Sequence, residues 1–283
     1  MRALYHGRVT DSLAGKNILV TGANTGIGRV TAEVLAKRGA KVILACRSEE
    51  KTRPVLEAIR TAGGKADFLA LDLADLDSVR AAASTWLAKG EPLHVLVNNA
   101  GLAGMRGATK QGFELTFGVN HLGTFLFTML LLPRLRESKP ARIVNVASKA
   151  HYDAKGISFA ALQNTTRTVT GVPEYEVSKL CNVLFTRELA AGKAGDGVTS
   201  CSLHPGVIAS DVWRQVPFPF RNIMKLFMLS VEEGAATTIH CATTPDLENG
   251  GYYDECKLKR PSKLAEDDAL AKELWEKSES WTQ

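Results

Sequence analysis

The chain has 283 residues, of which 45% are hydrophobic, and a formal net charge of +5. This length accommodates one or two domains with a sizeable core. Basic and acidic residues are interspersed, without a block of five or six like charges, so no nucleic-acid partner is indicated. The cysteines are far apart and form no Cys-x-x-Cys pair, which predicts neither a disulfide framework nor a metal site; they stand at 46, 181, 201, 241 and 256.

Membrane segments are not indicated either. Residues 1–16 lack the apolar centre of a signal peptide, and the longest apolar runs, 125–132 and 223–229, are too short to span a bilayer. We therefore expect a cytoplasmic protein without a transmembrane segment. The sequence leaves open whether it forms a homo-oligomer.

Apolar runs typical of buried strands alternate with helical patterns along the whole chain. The predicted strands are 17–20, 41–45, 67–71, 94–97, 142–146, 198–203 and 252–253, and the predicted helices are 29–38, 49–62, 76–88, 111–137, 173–191, 231–243 and one within 266–278. This alternation predicts an α/β fold, a doubly wound Rossmann-type parallel sheet flanked by helices in a single domain. Ligands of such sheets bind at the carboxyl ends of the strands.

A glycine-rich turn follows the first strand and precedes the first helix. Its three glycines let the backbone turn tightly and approach a ligand closely, and the helix N-terminus offers free N–H groups to a pyrophosphate. Turns of this kind without a ligand are also common. The predicted cofactor contacts in the turn are Gly22, Asn24, Thr25, Gly26, Ile27 and Gly28.

The second strand ends in Ala45-Cys46-Arg47, with no carboxylate at its end. A carboxylate at this place is typical of NAD sites, whereas an arginine can bind the 2′-phosphate of NADP. We therefore expect NADP (NADPH) and a cofactor contact from Arg47. A surface arginine at a strand exit is the alternative.

Two further strand ends carry polar residues. Asp72-Leu73 follows the third strand, where the carboxylate either binds the adenine edge or caps the next helix. Asn98-Asn99-Ala100-Gly101 follows the fourth strand. Its small residues suit a backbone that passes close to a ribose, and its asparagines can tie neighbouring strands. A plain turn would use the same residues.

Tyr175 and Lys179 form the most informative pair, since residues i and i+4 share one face of a helix. An ammonium group beside a phenol lowers the phenol pKa, which suits Tyr175 to proton transfer. Ser148, just after the fifth strand, could hold a substrate carbonyl or serve as a cap. Asn120 lies within the long predicted helix, where an asparagine near two glycines suggests a kink or a buried polar role.

Together these residues resemble the short-chain dehydrogenase/reductase family, over nearly the whole chain. The matching motifs are Thr21-Gly22-x-x-x-Gly26-x-Gly28, Asp72-Leu73, Asn98-Asn99-Ala100-Gly101, Asn120, Ser148, Tyr175-x-x-x-Lys179 and Pro205-Gly206. The resemblance implies a catalytic tetrad of Asn120, Ser148, Tyr175 and Lys179. It also implies cofactor contacts from Asp72, Leu73, Asn99, Ala100, Gly101, Tyr175 and Lys179, and a nicotinamide cover formed by Pro205, Gly206, Val207 and Ile208.

Within the family the chain is similar to the retinol dehydrogenase-like branch, in residues 22–28, 45–47 and 119–123 and in the long insert between Ser148 and Tyr175. Protochlorophyllide reductases and WW-domain oxidoreductases are also similar. Many animal members of the branch carry an N-terminal membrane anchor, which residues 1–16 do not resemble.

These features predict an NADP-dependent oxidoreductase acting on a carbonyl or alcohol, with Tyr175 as general acid or base. A reductase of carbon–carbon double bonds of the protochlorophyllide type and a catalytically silent NADP-binding regulator are the alternatives. Residues 209–230 are rich in bulky apolar side chains, which predicts a substrate lid and a hydrophobic small-molecule substrate.

Overall fold

The computed structural model describes residues 12–206 and 230–283. The strands are β1 (Asn17–Thr21), β2 (Lys41–Cys46), β3 (Lys65–Ala70), β4 (Val95–Asn98), β5 (Ala141–Val146), β6 (Val198–His204), β7 (Tyr252–Asp254) and β8 (Lys257–Lys259). The helices are α1 (Gly26–Lys37), α2 (Glu49–Thr61), α3 (Leu76–Leu87), α4 (Leu115–Glu137), the short α5 (Phe159–Leu162), α6 (Val172–Glu188), α7 (Val231–Thr243) and α8 (Asp268–Trp281).

The strands form one eight-stranded sheet in the order β3-β2-β1-β4-β5-β6-β7-β8. All neighbours are parallel except β7 and β8, which are antiparallel. The strand order reverses between β1 and β4, so the topological switch point lies where the glycine-rich turn leaves β1. The predicted doubly wound fold is therefore confirmed, and β8 is an additional strand that the sequence pattern did not reveal.

Successive residues of a strand point to opposite faces of the sheet, and both faces of the central strands are buried. Val20, Val97 and Val144 lie in the hydrophobic cluster formed with α1, α2 and α7. Leu19, Leu96 and Ile143 lie in the opposite cluster, with α3 and α4. The near-continuous apolar strands are the sequence signature of this double burial.

Helix α4 departs from the prediction in two ways. It begins at Leu115 rather than at 111, because Gly112 has a positive φ and the Glu114 carboxylate accepts a hydrogen bond from the Phe117 N–H at 2.7 Å, which caps the helix. Residues Gly118–Leu122 form a π-helical turn, a widening that often occurs at functional sites. The expected irregularity around Asn120 is this turn.

Helix α4 is also long and apolar enough to span a bilayer, but most of its apolar stretch is buried inside the fold. Core helices of globular proteins share this property. The apolar run 125–132 is shorter than α4 because Asn120 and Thr124 interrupt the apolar pattern in sequence without interrupting the helix, and the absence of a transmembrane segment stays a prediction.

Candidate active site

The glycine-rich turn brings β1, α1 and the end of β4 into close contact. Gly22 and Gly26 both have positive φ, at 65° and 56°. Gly28 has ordinary dihedrals but no room for a side chain, because a Cβ there would lie 2.4 Å from both the Gly22 carbonyl oxygen and Asn99 Nδ2. The turn therefore needs glycine for conformation at two places and for close approach at the third.

The first turn of α1 is open to an anionic ligand. Thr25 occupies the N-cap position without a side-chain cap hydrogen bond, and the first turn contains no acidic residue. Thr25 is exposed, and Asn24, Gly26 and Ile27 are half-buried around it. Free N–H groups and the positive end of the helix dipole suit a pyrophosphate at this position. The turn thus fits the phosphate part of a dinucleotide.

Thr21 and Asn99 tie the turn to β4. The Thr21 hydroxyl accepts hydrogen bonds from the Asn99 N–H (3.0 Å) and the Ala100 N–H (2.9 Å), and Asn99 Nδ2 donates to the Thr21 carbonyl at 2.8 Å. This contact fixes two neighbouring strand ends relative to each other. The role of Thr21 was not predicted, although its position directly before the turn could have suggested it.

The remaining predicted nucleotide contacts lie at the same edge of the sheet. Arg47 is exposed after β2 and forms no ion pair within residues 12–206 and 230–283. Asp72, after β3, accepts a hydrogen bond from the Ala74 N–H at 2.9 Å in a local turn, and Leu73 is buried. The N-cap of α3 is Asp75, so the alternative that Asp72 caps this helix was wrong.

A chain of buried polar side chains crosses the sheet beneath this edge. Asn98 Nδ2 donates to Asn145 Oδ1 (2.8 Å) and to Thr128 Oγ1 (2.9 Å), and Asn145 Nδ2 donates to Thr186 Oγ1 (2.9 Å). Asn98 and Asn145 are register partners in β4 and β5. This network links α4 to α6 along the sheet face that both helices cover, and it bears out the expectation that an asparagine ties neighbouring strands.

Asn120, in the π-helical turn, holds the loop that follows β4. Its Oδ1 accepts a hydrogen bond from the Leu102 N–H at 2.7 Å, and its Nδ2 donates to the Leu102 carbonyl and to Ser178 Oγ, both at 2.9 Å. Ser178 is thereby a functional neighbour that the sequence reasoning missed, although it precedes Lys179 in the helix. Asn120 links the loop to the helix that carries Tyr175.

Lys179 is buried and makes its hydrogen bond to the sheet. Its Nζ donates to the Val146 carbonyl at 2.8 Å and lies 5.6 Å from the centroid of the Tyr175 ring. A Cβ at Gly101 would lie 3.4 Å from this Nζ and 3.2 Å from Asn120 Oδ1, so all three residues line one space. Burial lowers the Lys179 pKa from 10.5 to about 8, because the ammonium loses its hydration.

Tyr175 is half-buried, and Ser148 is its polar neighbour. Burial raises the pKa of the Tyr175 phenol above its usual 10, and the nearby Ser148 hydroxyl lowers it by less. We expected the ammonium of Lys179 to lower this pKa. In the protein alone the opposite shift is found, because desolvation of the phenolate outweighs the favourable interactions.

The segment after β5 is anchored by two histidines that the sequence reasoning did not single out. The Lys149 N–H donates to His204 Nδ1 at 3.2 Å, and His151 Nδ1 lies 2.6 Å from the Ser148 carbonyl oxygen. Burial lowers the His204 pKa to about 4, so the ring is neutral at pH 7. The Ser148 backbone is thus fixed at the end of β5, next to the end of β6.

The structure therefore brings Asn120, Ser148, Tyr175 and Lys179 to one end of the sheet edge and the glycine-rich turn to the switch point beside it. Pro205 and Gly206 are half-buried at the end of β6. The predicted contacts Val207 and Ile208 and residues 209–229 of the predicted lid lie outside the described residues.

Comparisons with known proteins agree with this arrangement. The family model described as short chain dehydrogenase matches residues 16–217. Human retinol dehydrogenase 11 is 45% identical over 276 residues, which cover 95% of this chain and 86% of the relative. Bovine dehydrogenase/reductase SDR family member 13 is 41% identical, covering 94% of this chain and 73% of the relative.

Among solved structures, gluconate 5-dehydrogenase from Burkholderia cenocepacia J2315, in complex with NADP and tartrate, has a TM-score of 0.68 and 26% identity. The alignment covers 85% of this chain and 93% of that structure.

Proposed function

The chain belongs to the short-chain dehydrogenase/reductase family, in its retinol dehydrogenase-like branch, and is an oxidoreductase. We propose that it uses NADP and interconverts a carbonyl group and an alcohol of an apolar substrate. The observation that carries the proposal is the convergence of Tyr175, Ser148 and buried Lys179 beside the nucleotide-binding turn. When bound, the nicotinamide ring supplies the acceptor or donor for the hydride.

Tyr175 is the proton donor or acceptor in this reaction. Its raised pKa keeps it a neutral phenol at pH 7, which is the form that donates a proton to the oxygen of a carbonyl during reduction. Ser148, the polar neighbour of Tyr175, orients the substrate oxygen toward the phenol.

Lys179 supports the phenol electrostatically. With a pKa of about 8 it is mostly protonated at pH 7, so it stabilises the phenolate that remains after the proton has left. The Val146 carbonyl holds its Nζ in place. Asn120 keeps the backbone of Leu102 against this group, which closes one side of the site.

Arg47 supports the choice of NADP over NAD. The dinucleotide turn at 22–28 and the end of β2 lie at the same sheet edge, and a free guanidinium can bind a 2′-phosphate there. In the described residues Arg47 is exposed and available for this contact.

The test is to follow NADPH and NADH consumption spectrophotometrically with a panel of aldehydes, ketones and quinones. We expect carbonyl reduction that prefers NADPH. Activity only on compounds with an activated carbon–carbon double bond would replace carbonyl chemistry with double-bond reduction. NADPH binding without turnover of any compound would favour a regulatory role.

A further inference from the structure

Three of the five large apolar side chains that are exposed in the described residues lie on two loops and at the start of α6, the helix that carries Tyr175. They are Met105, Val169 and Val172, which are 42%, 85% and 43% exposed and are called the apolar rim below. Single exposed apolar residues are ordinary, but a group of them marks a binding surface more often.

The rim is continuous with the catalytic helix. The Tyr175 N–H donates to the Gly171 carbonyl at 3.1 Å. Val172, the first residue of α6, lies three residues before Tyr175 and therefore on the same face of the helix, one turn closer to its N-terminus. A Cβ at Gly171 would lie 3.1 Å from the Met105 carbonyl oxygen, so the loop carrying Met105 touches the loop carrying Val169.

Two carboxylates hold the backbone that leads into the rim. Buried Glu114 accepts a hydrogen bond from Thr166 Oγ1 at 2.5 Å, and the Gly107 N–H donates to the same hydroxyl at 3.0 Å. Glu174, in the first turn of α6, accepts from the N–H groups of Arg167 (3.1 Å) and Thr168 (2.9 Å) and from the Thr168 hydroxyl.

These bonds have a specific effect. Three consecutive residues, 166 to 168, are fixed immediately before an almost fully exposed valine, and the Thr168 hydroxyl in turn accepts from the Gly171 N–H at 3.1 Å. The hydrogen bonds from Thr168 and Arg167 outweigh the effect of burial and lower the Glu174 pKa, so the carboxylate is ionised at neutral pH. Charge-assisted bonds of this kind are stronger than neutral ones.

We propose that Glu174 is a positioning residue for substrate selection: it fixes residues 167–168 so that the apolar rim receives the apolar part of a carbonyl substrate whose oxygen faces Tyr175. The inference rests on the proposed function and specifies where the apolar part of its substrate lies. Glu114 holds the residue before this segment, because its carboxylate accepts a hydrogen bond from the Thr166 hydroxyl.

The experiment compares propanal with decanal in the NADPH-dependent reaction. In the wild-type protein we expect a lower KM for decanal than for propanal. Val169→Ser and Val172→Ser should raise the decanal KM about tenfold, because each removes apolar surface from the rim, while the propanal KM and kcat stay within about twofold. Leu258→Ser is the matched control, since Leu258 is 47% exposed on β8 and should leave both KM values unchanged.

The role of Glu174 has its own variants. Glu174→Ala removes no apolar atom of the rim, yet it should raise the decanal KM several-fold and leave propanal nearly unaffected. Thr168→Val removes the hydroxyl contact but keeps both N–H bonds to Glu174, so it should raise the decanal KM less, and the double variant should exceed Glu174→Ala only slightly because the two residues share the hydroxyl contact. Glu174→Gln keeps an acceptor for the two N–H groups and should restore most of the wild-type ratio. Glu176→Ala, in the same helical turn, is the control.

Equal effects of Glu174→Ala on both aldehydes, or a fall in thermal stability alone, would overturn the inference. Calorimetric titration of decanol into the NADP-loaded protein separates this result from failure of the proposed function, because binding needs no turnover. Weaker decanol binding by Val169→Ser supports the rim even if no aldehyde is reduced. Unchanged decanol binding by Val169→Ser would show that the apolar rim does not bind the apolar part of the substrate.

Discussion

The two ends of the functional sheet edge are built in different ways. The nucleotide end, around β1 and β2, is formed mainly by backbone: two glycines with positive φ, a third without space for a Cβ, and the uncapped start of α1. The catalytic end, around β5 and α6, is formed by buried side chains whose pKa values are shifted by burial. Shape therefore dominates one end and electrostatics the other.

This difference predicts which substitutions impair function at each end. At the nucleotide end, an added methyl group should disturb binding while leaving titration behaviour unchanged. At the catalytic end, a substitution that preserves shape but removes a proton or a charge should have the larger effect. The four variants that follow test these expectations, beginning with the largest effect.

Tyr175→Phe removes one oxygen from the catalytic end and keeps the ring. We expect kcat for carbonyl reduction to fall by about two to four orders of magnitude, the usual contribution of a positioned acid or base, with NADPH binding retained. Steady-state kinetics and a fluorescence titration with NADPH measure the two quantities. Near-normal turnover by the variant would remove Tyr175 from the mechanism.

Lys179→Met tests how much the buried ammonium of Lys179 lowers the free energy of unfolding. Below pH 8 the wild-type lysine is charged in both states, so the cost of its burial is fully present. Between pH 8 and 10.5 the folded state loses its proton first, and stability rises with pH by about 3 kcal/mol. The methionine variant lacks this rise, so it should be more stable than wild type at pH 7 and should lose that advantage by pH 10.5.

Urea unfolding at a series of pH values measures this difference. Lys272→Met is the control, because it makes the same substitution at an exposed position on α8. Parallel stability curves for wild type and Lys179→Met would show that the buried ammonium is not the titrating group.

Gly28→Ala tests shape at the nucleotide end. The added Cβ would meet the Gly22 carbonyl and Asn99 Nδ2 at 2.4 Å, and overpacking of this kind costs about 1–3 kcal/mol. We expect NADPH affinity to fall by about tenfold or more, together with a lower Tm. An unchanged dissociation constant would mean that the turn does not bind the cofactor.

Arg47→Asp changes a charge at the nucleotide end, where binding depends mainly on backbone shape. Its effect on cofactor affinity should therefore be the smallest of the four. NADPH affinity should fall about tenfold, while NADH affinity should change little, because only the 2′-phosphate loses a partner. Arg53→Asp, an exposed change of the same charge in α2, is the control. Equal losses for both cofactors would make Arg47 a residue without a role in cofactor choice.

The sequence predicted the nucleotide end better than the catalytic end, for a physical reason. Glycine spacing and the strand–turn–helix pattern are local, so the structure of residues 17–37 can be predicted from their own sequence. The parallel sheet with helices on both faces followed from alternation alone, whereas the strand order was not predicted. The hairpin strand β8 was missed because Lys-Leu-Lys is short and exposed on both faces, which gives it no period.

Contacts between distant segments were beyond the sequence pattern. Nothing local indicates that Asn120 binds the backbone of Leu102 or that Glu174 holds Thr168. The direction of the Tyr175 pKa shift also differs from the prediction, because helical spacing revealed the nearby ammonium but not the hydration that the phenol loses in the fold. Burial is a property of the assembled fold.

The π-helical turn in α4 has a consequence for which insertions and deletions this chain can accept. Asn120 inside the turn binds the loop after β4, and Thr128 beyond it binds Asn98 at the end of the same strand. Each residue of a helix advances the side-chain direction by about 100°. Deleting one residue between them would turn one of these side chains away from its partner. Changes in length between 120 and 128 should therefore be far more damaging than changes of residue type on the outer face of α4.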